Sequence, residues 1–169
     1  MEFDTFTISF ESLKLGEHDY KFLVDTTFFS GLEYSEIQEG KVIIDGQLIK
    51  SARLMELNLD FEGEVVLPCD LCGEDYTQTI SFKESVVIKF GDEQDQDEGM
   101  IILKRGESEV NMSHYIYESI ILSLPIRRVH PEVKGKPSCD EAILAKLNDK
   151  GNQNDDDIDP RWSALKKLK

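Results

Sequence analysis

Apolar and polar residues alternate over much of the N-terminal half of the chain. This period-two pattern is typical of strands with one buried face and one wet face. Phe6, Ile8 and Phe10 alternate with polar residues and predict an opening strand. The alternation also marks residues 42–48 and is strictest at residues 55–61. The pattern therefore predicts antiparallel strands with one wet face.

A Cys-x-x-Cys motif interrupts this alternation. The motif Cys69-Asp70-Leu71-Cys72 follows an apolar run at residues 65–67, and residues 76–90 then keep their apolar positions on one parity. The motif is therefore predicted to lie at the tip of a β-hairpin. Residues 26–32 have a mixed pattern, which leaves a short helix and a loop as alternatives.

The period changes to that of a helix after residue 110. Apolar residues recur at every fourth position: Met112, Ile116, Ile120 and Leu124. Asn111 can cap this segment, and Pro125 ends it. The pattern predicts one main helix from about Asn111 to Leu124.

Further helical signals follow near the C-terminus. Ser138 and Glu141 have capping-box spacing, which predicts that Cys139 occupies the first turn of a short helix. Residues 148–158 are polar and acidic and indicate a flexible linker. Asp159 followed by Pro160 is a strong helix start, because aspartate caps a helix and proline favours its first position.

The terminal segment, residues 159–169, is predicted to be an amphipathic helix. Two explanations of this helix remain open, since it can contact a partner or dock onto its own domain. The residues predicted to contact a partner are Arg161, Trp162, Leu165, Lys166 and Lys167. The basic pair Arg127 and Arg128 is a second predicted contact in an otherwise acidic chain.

These elements define a fold class and three regions. We predict an α+β fold with a mainly antiparallel sheet, one main helix and a detached C-terminal helix. Residues 1–147 form the predicted β-rich core domain, residues 148–158 the acidic flexible linker, and residues 159–169 the amphipathic helix. The full length of 169 residues suits one such domain with a hydrophobic core.

The composition limits which cellular compartment and which kind of partner we expect. The formal net charge is −15, which disfavours phosphate attraction as the main source of affinity and would attract a basic partner. Such acidity also serves solubility alone. No apolar run is long enough for a membrane span, and the first residues lack a signal-peptide pattern, so a cytoplasmic location is expected. Three cysteines suit a reducing compartment.

A metal site is the main candidate chemistry. The predicted ligands are Cys69, Cys72, His130 and Cys139, because three sulfurs and one imidazole form an accepted tetrahedral set for zinc. His130 and Cys139 are too far apart in sequence to form a second knuckle, so the site depends on tertiary folding. Reduced thiols without a metal remain the alternative.

Catalytic arrangements find little support. A thioredoxin-like motif belongs after a strand and at the start of a helix, whereas this motif is predicted to lie in a hairpin. None of the three histidines has motif spacing to a cysteine, and no glycine-rich phosphate loop is present. The many carboxylates of an acidic chain indicate nothing specific. The sequence therefore predicts a protein that is not an enzyme.

The order of four features carries a family resemblance. They are the glycine-containing strand Val42-Ile43-Ile44-Asp45-Gly46, the Pro-Cys-x-x-Cys motif, a helix that ends in Leu124-Pro125, and the terminal motif Asp159-Pro160-Arg161-Trp162-Ser163-Ala164-Leu165-Lys166-Lys167-Leu168. Together they resemble the YceD-like family of bacterial large ribosomal RNA subunit accumulation proteins. The resemblance extends from about Val42 to the end of the chain. Many relatives have an arginine where this chain has Leu71, and further cysteine pairs where it has only His130 and Cys139.

The resemblance implies a role in making or maintaining large-subunit ribosomal RNA, without a known catalytic activity. The expected partner is the large-subunit ribosomal precursor, met as RNA or as a basic ribosomal protein. We therefore expect a non-enzymatic factor that supports ribosomal RNA accumulation or ribosome assembly. An acidic binding module that escorts a basic ribosomal protein is the alternative. A hydrolase or nuclease acting on ribosomal RNA has no sequence support.

Overall fold

The computed structural model describes residues 4–33, 35–91, 99–133, 136–137, 139 and 141–151. The described residues lie mainly in strands, with few helices, so the predicted α+β class is confirmed. The chain divides into two compact units. Unit 1 comprises Met1–Leu67 and Asp75–Arg128, and unit 2 comprises Pro68–Glu74 and Val129–Lys169, each in its described part.

The described elements comprise nine strands and three helices. The strands are β1 (Thr7–Ser9), β2 (Gly16–Val24), β3 (Glu39–Lys50), β4 (Leu54–Pro68), β5 (Asp75–Phe90), β6 (Met100–Leu103), β7 (Glu109–Asn111), β8 (Glu132–Val133) and β9 (Lys136–Pro137). The helices are α1 (Thr26–Ser30), α2 (Ser113–Ser123) and α3 (Glu141–Gly151).

A five-stranded sheet in the order β2-β3-β4-β5-β6 forms most of unit 1. β2 pairs with β3 and β3 with β4 in antiparallel register, as the alternation predicts. β6 at the edge pairs with β5 in parallel. A separate antiparallel pair joins β1 to β7. The sheet is therefore mainly antiparallel, with one parallel edge strand.

One face of this sheet carries the core of unit 1. Met55, Leu57, Leu59 and Phe61 are at most 3% exposed, while the residues between them are partly exposed. The ring of Phe61 stacks on Phe82 of the neighbouring strand, with centroids 4.3 Å apart. The alternation of apolar and polar residues in β4 therefore predicts correctly which of its side chains are buried.

The central strands approach closely at Gly63. A Cβ atom at this position would lie 2.2 Å from the carbonyl oxygen of Lys41, which lies on the paired strand β3. Any side chain would therefore push β3 and β4 apart. Glycine at this position permits the long pairing of the two strands.

Helix α2 has the predicted buried face. Met112, Ile116 and Ile120 are fully buried and Leu124 is nearly so. The predicted cap needs a correction: Met112 is the capping residue, while the side chain of Asn111 accepts a hydrogen bond of 2.8 Å from the backbone N–H of Ser113. The last residue before Pro125 is extended, because proline disfavours the helical conformation of its predecessor.

Two local predictions are decided by the structure. The segment at residues 26–32 contains a short helix, α1, whose start is capped by Asp25. The Asp25 carboxylate accepts hydrogen bonds from the Thr27 side chain and the Phe28 backbone N–H, and these bonds hold its pKa below the usual value. Phe90, on the predicted buried parity of β5, is instead 46% exposed, because it is the last residue of its strand.

Of the predictions near the C-terminus, one is wrong and others lie outside the described residues. α3 begins at Glu141, so the prediction that Cys139 lies in the first helical turn is wrong, and Cys139 precedes the helix by two residues. α3 continues to Gly151, four residues beyond the predicted end of the core domain at Leu147. The rest of the predicted linker and the whole predicted tail helix, residues 152–169, lie outside the described residues.

No helix in the described part of the chain is long and apolar enough to cross a membrane.

Candidate metal centre

The Cys-x-x-Cys motif forms the tight turn between β4 and β5. The backbone N–H of Cys69 donates to the carbonyl of Glu74, and that of Gly73 donates to the carbonyl of Cys69, each over 2.9 Å. Gly73 has a φ of 77°, a left-handed conformation that glycine adopts without steric cost. The motif lies at the tip of the β4–β5 hairpin, as the sequence predicts.

A second turn brings the other two candidate ligands together. β8 and β9 pair in antiparallel register, with Glu132 opposite Pro137. His130 precedes this pair and Cys139 follows it, so the chain folds back on itself between them. The sequence analysis missed this hairpin. Its sequence signal is weak, since each strand has only two residues.

The four predicted ligands meet in one cluster. The ligand atoms of Cys69, Cys72, His130 and Cys139 all lie within 4.8 Å of one another. The sulfurs of Cys69 and Cys139 are 3.6 Å apart. The Nδ1 atom of His130 lies 3.4 Å from the sulfur of Cys72 and 3.5 Å from that of Cys139. Tertiary folding therefore supplies the proximity that the sequence spacing lacks.

These separations can be compared with a tetrahedral metal site. Zinc bonds of about 2.3 Å to sulfur and about 2.0–2.1 Å to nitrogen place two sulfurs about 3.8 Å apart and a sulfur and a nitrogen about 3.5 Å apart. The three separations given above, 3.6, 3.4 and 3.5 Å, agree with this geometry to within a few tenths of an ångström. These three of the six edges therefore suit one tetrahedral ion with three thiolate ligands and one imidazole ligand, and all six lie within 4.8 Å.

Hydrogen bonds from backbone N–H groups favour the metal-binding thiolate form of Cys69. Burial would raise the pKa of the Cys69 thiol, yet the pKa is lowered to about 6. The cause is a set of hydrogen bonds to its sulfur from the backbone of Cys72, Leu71 and His130, with a further one from the His130 ring. The Leu71 bond is 3.4 Å long. Donors directed at a sulfur stabilise its thiolate form, which is the form that binds metal.

The pKa of the Cys139 thiol is shifted in the opposite direction when no metal is bound. Burial raises the pKa of the Cys139 thiol to about 11, and the neighbouring thiols of Cys69 and Cys72 act in the same direction. All three cysteines are free of disulfides. A divalent cation in the cluster would reverse this preference, because a coordinating thiol is deprotonated by the metal.

Burial within unit 2 is concentrated at this cluster. Among its described side chains, only Cys69 and Cys139 are buried, at 3% and 7% exposure. Cys72 and His130 are half-buried. The apolar residues of α3 do not replace a core, because Ile143 and Leu144 are half-buried and Leu147 is 47% exposed. The buried side chains of unit 2 are therefore candidate ligands, whereas those of unit 1 are mainly apolar residues of the sheet and α2.

The predicted contact residues outside the cluster fall into two groups. Arg127 is exposed. Arg128 donates to the Glu36 carboxylate over 2.7 Å, and its side chain is 23% exposed, while its role as a contact remains a prediction. The tail residues Arg161, Trp162, Leu165, Lys166 and Lys167 lie outside the described residues, and their role remains a prediction.

Comparison with known proteins bears on the family. The family model described as large ribosomal RNA subunit accumulation protein YceD matches residues 57–169, which is more than half of the chain and includes all four clustered ligands. No curated protein and no solved structure matches the chain significantly. The chain therefore belongs to the YceD family of large ribosomal RNA subunit accumulation proteins, as the order of its motifs indicates.

Proposed function

We propose that this protein is a non-enzymatic, cytoplasmic factor for large-subunit ribosome assembly, and that a structural zinc ion holds its unit 2 together. Family membership supports the involvement in large-subunit ribosomal RNA accumulation. The observation that carries the zinc assignment is the cluster of three sulfurs and one imidazole nitrogen within 4.8 Å.

The ligand count supports a structural role for the ion. Catalytic zinc keeps one of its four positions for water or substrate, whereas structural zinc is closed by four protein ligands. Cys69, Cys72, His130 and Cys139 together supply four. With all four bound, the ion has no position at which it can activate water. The cluster therefore favours a protein that acts by binding.

The poor apolar core of unit 2 supports the same role. Small units that cannot bury enough apolar surface are commonly held by a metal or by disulfides. Here the two buried side chains of the described part of unit 2 are themselves ligands. Zinc bound by His130 through Nδ1 leaves the ring proton on Nε2, which fixes the tautomer. The ion would thus join the knuckle, the β8–β9 hairpin and the start of α3.

Metal analysis with a matched histidine control tests the assignment. Protein purified without chelator is expected to contain about one equivalent of zinc. His130→Ala should lower the zinc content and weaken its retention against a chelator, while His114→Ala should not. His114 is a suitable control because its ring is exposed and pairs with Glu118 on α2. Equal zinc loss in both variants, or less than about a tenth of an equivalent in the unaltered protein, would contradict a structural site.

Complementation tests the cellular role. In cells that lack the chromosomal copy, the unaltered protein is expected to restore the ratio of large-subunit to small-subunit ribosomal RNA. Cys69→Ser should restore it poorly, since a serine hydroxyl does not replace a thiolate ligand. A ratio that is unchanged by loss of the protein would contradict the assembly role.

The acidity of the chain favours a second candidate function, an escort for a basic ribosomal protein. The net charge is −15, and Glu56, Glu62 and Glu64 lie on the wet face of β4. Opposite charge accelerates association, and salt screens it over about 8 Å at physiological ionic strength. The escort function predicts a complex with a purified basic ribosomal protein that weakens steeply with salt. A complex that is indifferent to salt would speak against it.

A further inference from the structure

One face of the five-stranded sheet is left uncovered by the described elements of unit 1. This wet face, opposite the core, carries the odd-numbered positions of β2, β3 and β5 and the even-numbered positions of β4. A trough of about 760 Å³ crosses the sheet there. We propose that the wet face binds an extended segment of a partner protein that is rich in arginine and lysine, an inference that rests on the proposed escort function.

The helices and the β1–β7 pair of unit 1 pack on the other face of the sheet. The Ser119 hydroxyl of α2 donates to the carboxylate of Glu84, which lies on the core side of β5. The Phe6 ring, directly before β1, stacks on the buried Phe22 ring of β2 and also contacts Phe28 of α1, with centroids 5.9 and 4.8 Å apart. The described part of unit 1 therefore leaves the wet face open to a partner.

Carboxylates outnumber cations on the wet face of β2–β5. The acidic residues at its positions are Glu17, Asp19, Glu39, Asp45, Glu56, Asp60, Glu62, Glu64 and Asp75, and the basic residues are Lys21, Lys41, Lys83 and Lys89. Lys21 and Lys83 are already paired with aspartates of β3 and β4. Asp19, Glu56 and Glu64 have no hydrogen-bond or ion-pair partner among the described residues. Such a face attracts a cationic segment and repels phosphates.

The trough offers contacts to a peptide backbone as well as to basic side chains. It is lined by three consecutive residues from each of the strands β2, β3, β4 and β5, so it runs across the strands. In its two central strands, Gln47 lies directly opposite Asn58. Neither amide has a hydrogen-bond partner within the part of the chain that the structure describes. A side-chain amide both donates and accepts, which matches the N–H and C=O groups of an extended peptide.

Half-buried apolar side chains flank the trough. Leu23 of β2 lies opposite Ile43 of β3, and Ile49 lies on the other side of the trough along β3. Lysine and arginine side chains bury their methylene stems on apolar surface while the charged ends remain free to reach carboxylates. The wet face therefore suits long basic side chains better than a small cation.

The dimensions of the face suit a protein segment. β3 and β4 are paired over twelve residues, and β2 pairs with β3 over nine. With about 3.4 Å per residue and about 4.8 Å between strands, the four strands present an area of about 600–800 Å². A stable protein–protein interface buries about 800 Å² on each partner. An extended segment that crosses the trough would fit within this area.

Fluorescence anisotropy of a labelled peptide of alternating arginine and alanine, titrated with the full chain, tests the proposal. Asp19→Asn with Glu56→Gln should weaken binding about fivefold, because two exposed charge contacts are lost. Glu11→Gln with Glu109→Gln makes the same change of charge at two exposed carboxylates beside and on the β1–β7 pair. This control should bind the peptide like the unaltered protein.

A second pair of variants separates the trough from general charge attraction. Asn58→Ala removes an amide of the trough and leaves the net charge unchanged, and it should weaken peptide binding about threefold. Gln38→Ala removes an exposed amide directly before β3 and should have no effect. Thermal melting followed by circular dichroism checks that each variant keeps its sheet.

Every other occupant of the face has its own result. Tighter binding of an oligouridylate than of the peptide would assign the face to RNA. Self-association that is lost in Asp19→Asn with Glu56→Gln would assign it to a second copy of the chain. Peptide binding that rises in Lys166→Glu with Lys167→Glu would assign it to the C-terminal segment of the same chain. Each of these results, or equal loss in the two double carboxylate variants, overturns the proposal.

Failure of the wet face and failure of the escort function are distinguishable. If the unaltered protein binds the basic peptide and Asp19→Asn with Glu56→Gln binds it equally well, only the assignment of the wet face is wrong. If the unaltered protein binds neither this peptide nor a purified basic ribosomal protein at low salt, the escort function itself is contradicted.

Discussion

The two units reach a defined structure by different means. Unit 1 buries whole rows of apolar side chains on one face of a long sheet and against α2. Unit 2 buries only Cys69 and Cys139 among its described side chains. Apolar burial is distributed over many contacts, so the loss of one side chain removes only a share of the stabilisation. The proposed metal centre would concentrate the same task in four atoms, so the loss of one ligand would affect the whole unit.

The largest expected effect comes from removing the proposed zinc ion. Structural zinc in small units has apparent binding free energies of about 10–16 kcal/mol, and in such units this is folding free energy. Cys139→Ser, or a strong chelator, should therefore abolish the protection of α3 and the β8–β9 hairpin against hydrogen exchange. The strands of unit 1 should keep theirs.

Hydrogen exchange by mass spectrometry, region by region, separates the outcomes. Uniform loss of protection over β3, β4 and α3 would show that the units do not differ as described. Unchanged protection of α3 would show that unit 2 has a core of its own.

The second-largest expected effect comes from a substitution in the core of unit 1. Phe61→Ala removes a fully buried ring that stacks on Phe82, and such truncations cost about 3–5 kcal/mol of unfolding free energy. Denaturant unfolding followed by circular dichroism should show this loss. The zinc content of the folded protein should stay the same, because Phe61 belongs to unit 1 and every ligand to unit 2. Loss of zinc without loss of sheet stability would reverse the comparison.

A third test asks whether residues 159–169 bind a partner or stabilise their own chain. Trp162→Ala with Leu165→Ala is expected to weaken association with large-subunit precursors by about 2 kcal/mol or more, because a buried tryptophan is a frequent binding anchor. The melting temperature of unit 1 should stay nearly unchanged. If the double variant melts several degrees lower and still associates, the tail is a structural element of its own chain.

The smallest effect concerns pH and unit 1. Burial, with the nearby Glu84 carboxylate, raises the pKa of Tyr115 to about 12. The folded state thus retains the phenolic proton at a pH where the unfolded chain, with a tyrosine pKa of about 10, has lost it. The contribution is fully present below pH 10 and is lost as pH rises towards 12. Tyr115→Phe should show a shallower decline of stability between these values, and an identical decline would refute the assignment.

The sequence predicted β4 and α2 well because alternation and a four-residue period report burial locally. Met55, Leu57, Leu59 and Phe61 alternate in burial as they do in hydropathy. Strand orientation has no such local signal, and the parallel pairing of β6 with β5 was therefore not predicted. Phe90 likewise looked buried by parity, although a strand end has fewer neighbours to cover it.

The candidate site was predictable in its residues but not in its assembly. Cysteine and histidine identity indicated the four ligands, whereas their meeting depends on the two-residue strands β8 and β9, which are too short for a periodicity signal. The capping-box spacing misplaced Cys139, since α3 begins only at Glu141.

The ligand order along the chain has a consequence for synthesis. Cys69 and Cys139 are 70 residues apart, and at about 5–20 residues per second a ribosome needs about 4–14 s to make the stretch between them. During that time the knuckle offers two thiols without their partners. A nascent half-site of this kind is exposed to oxidants and to copper, which binds more tightly than zinc at most sites. Correct loading of the proposed zinc site therefore depends on what the half-site meets before Cys139 is synthesised.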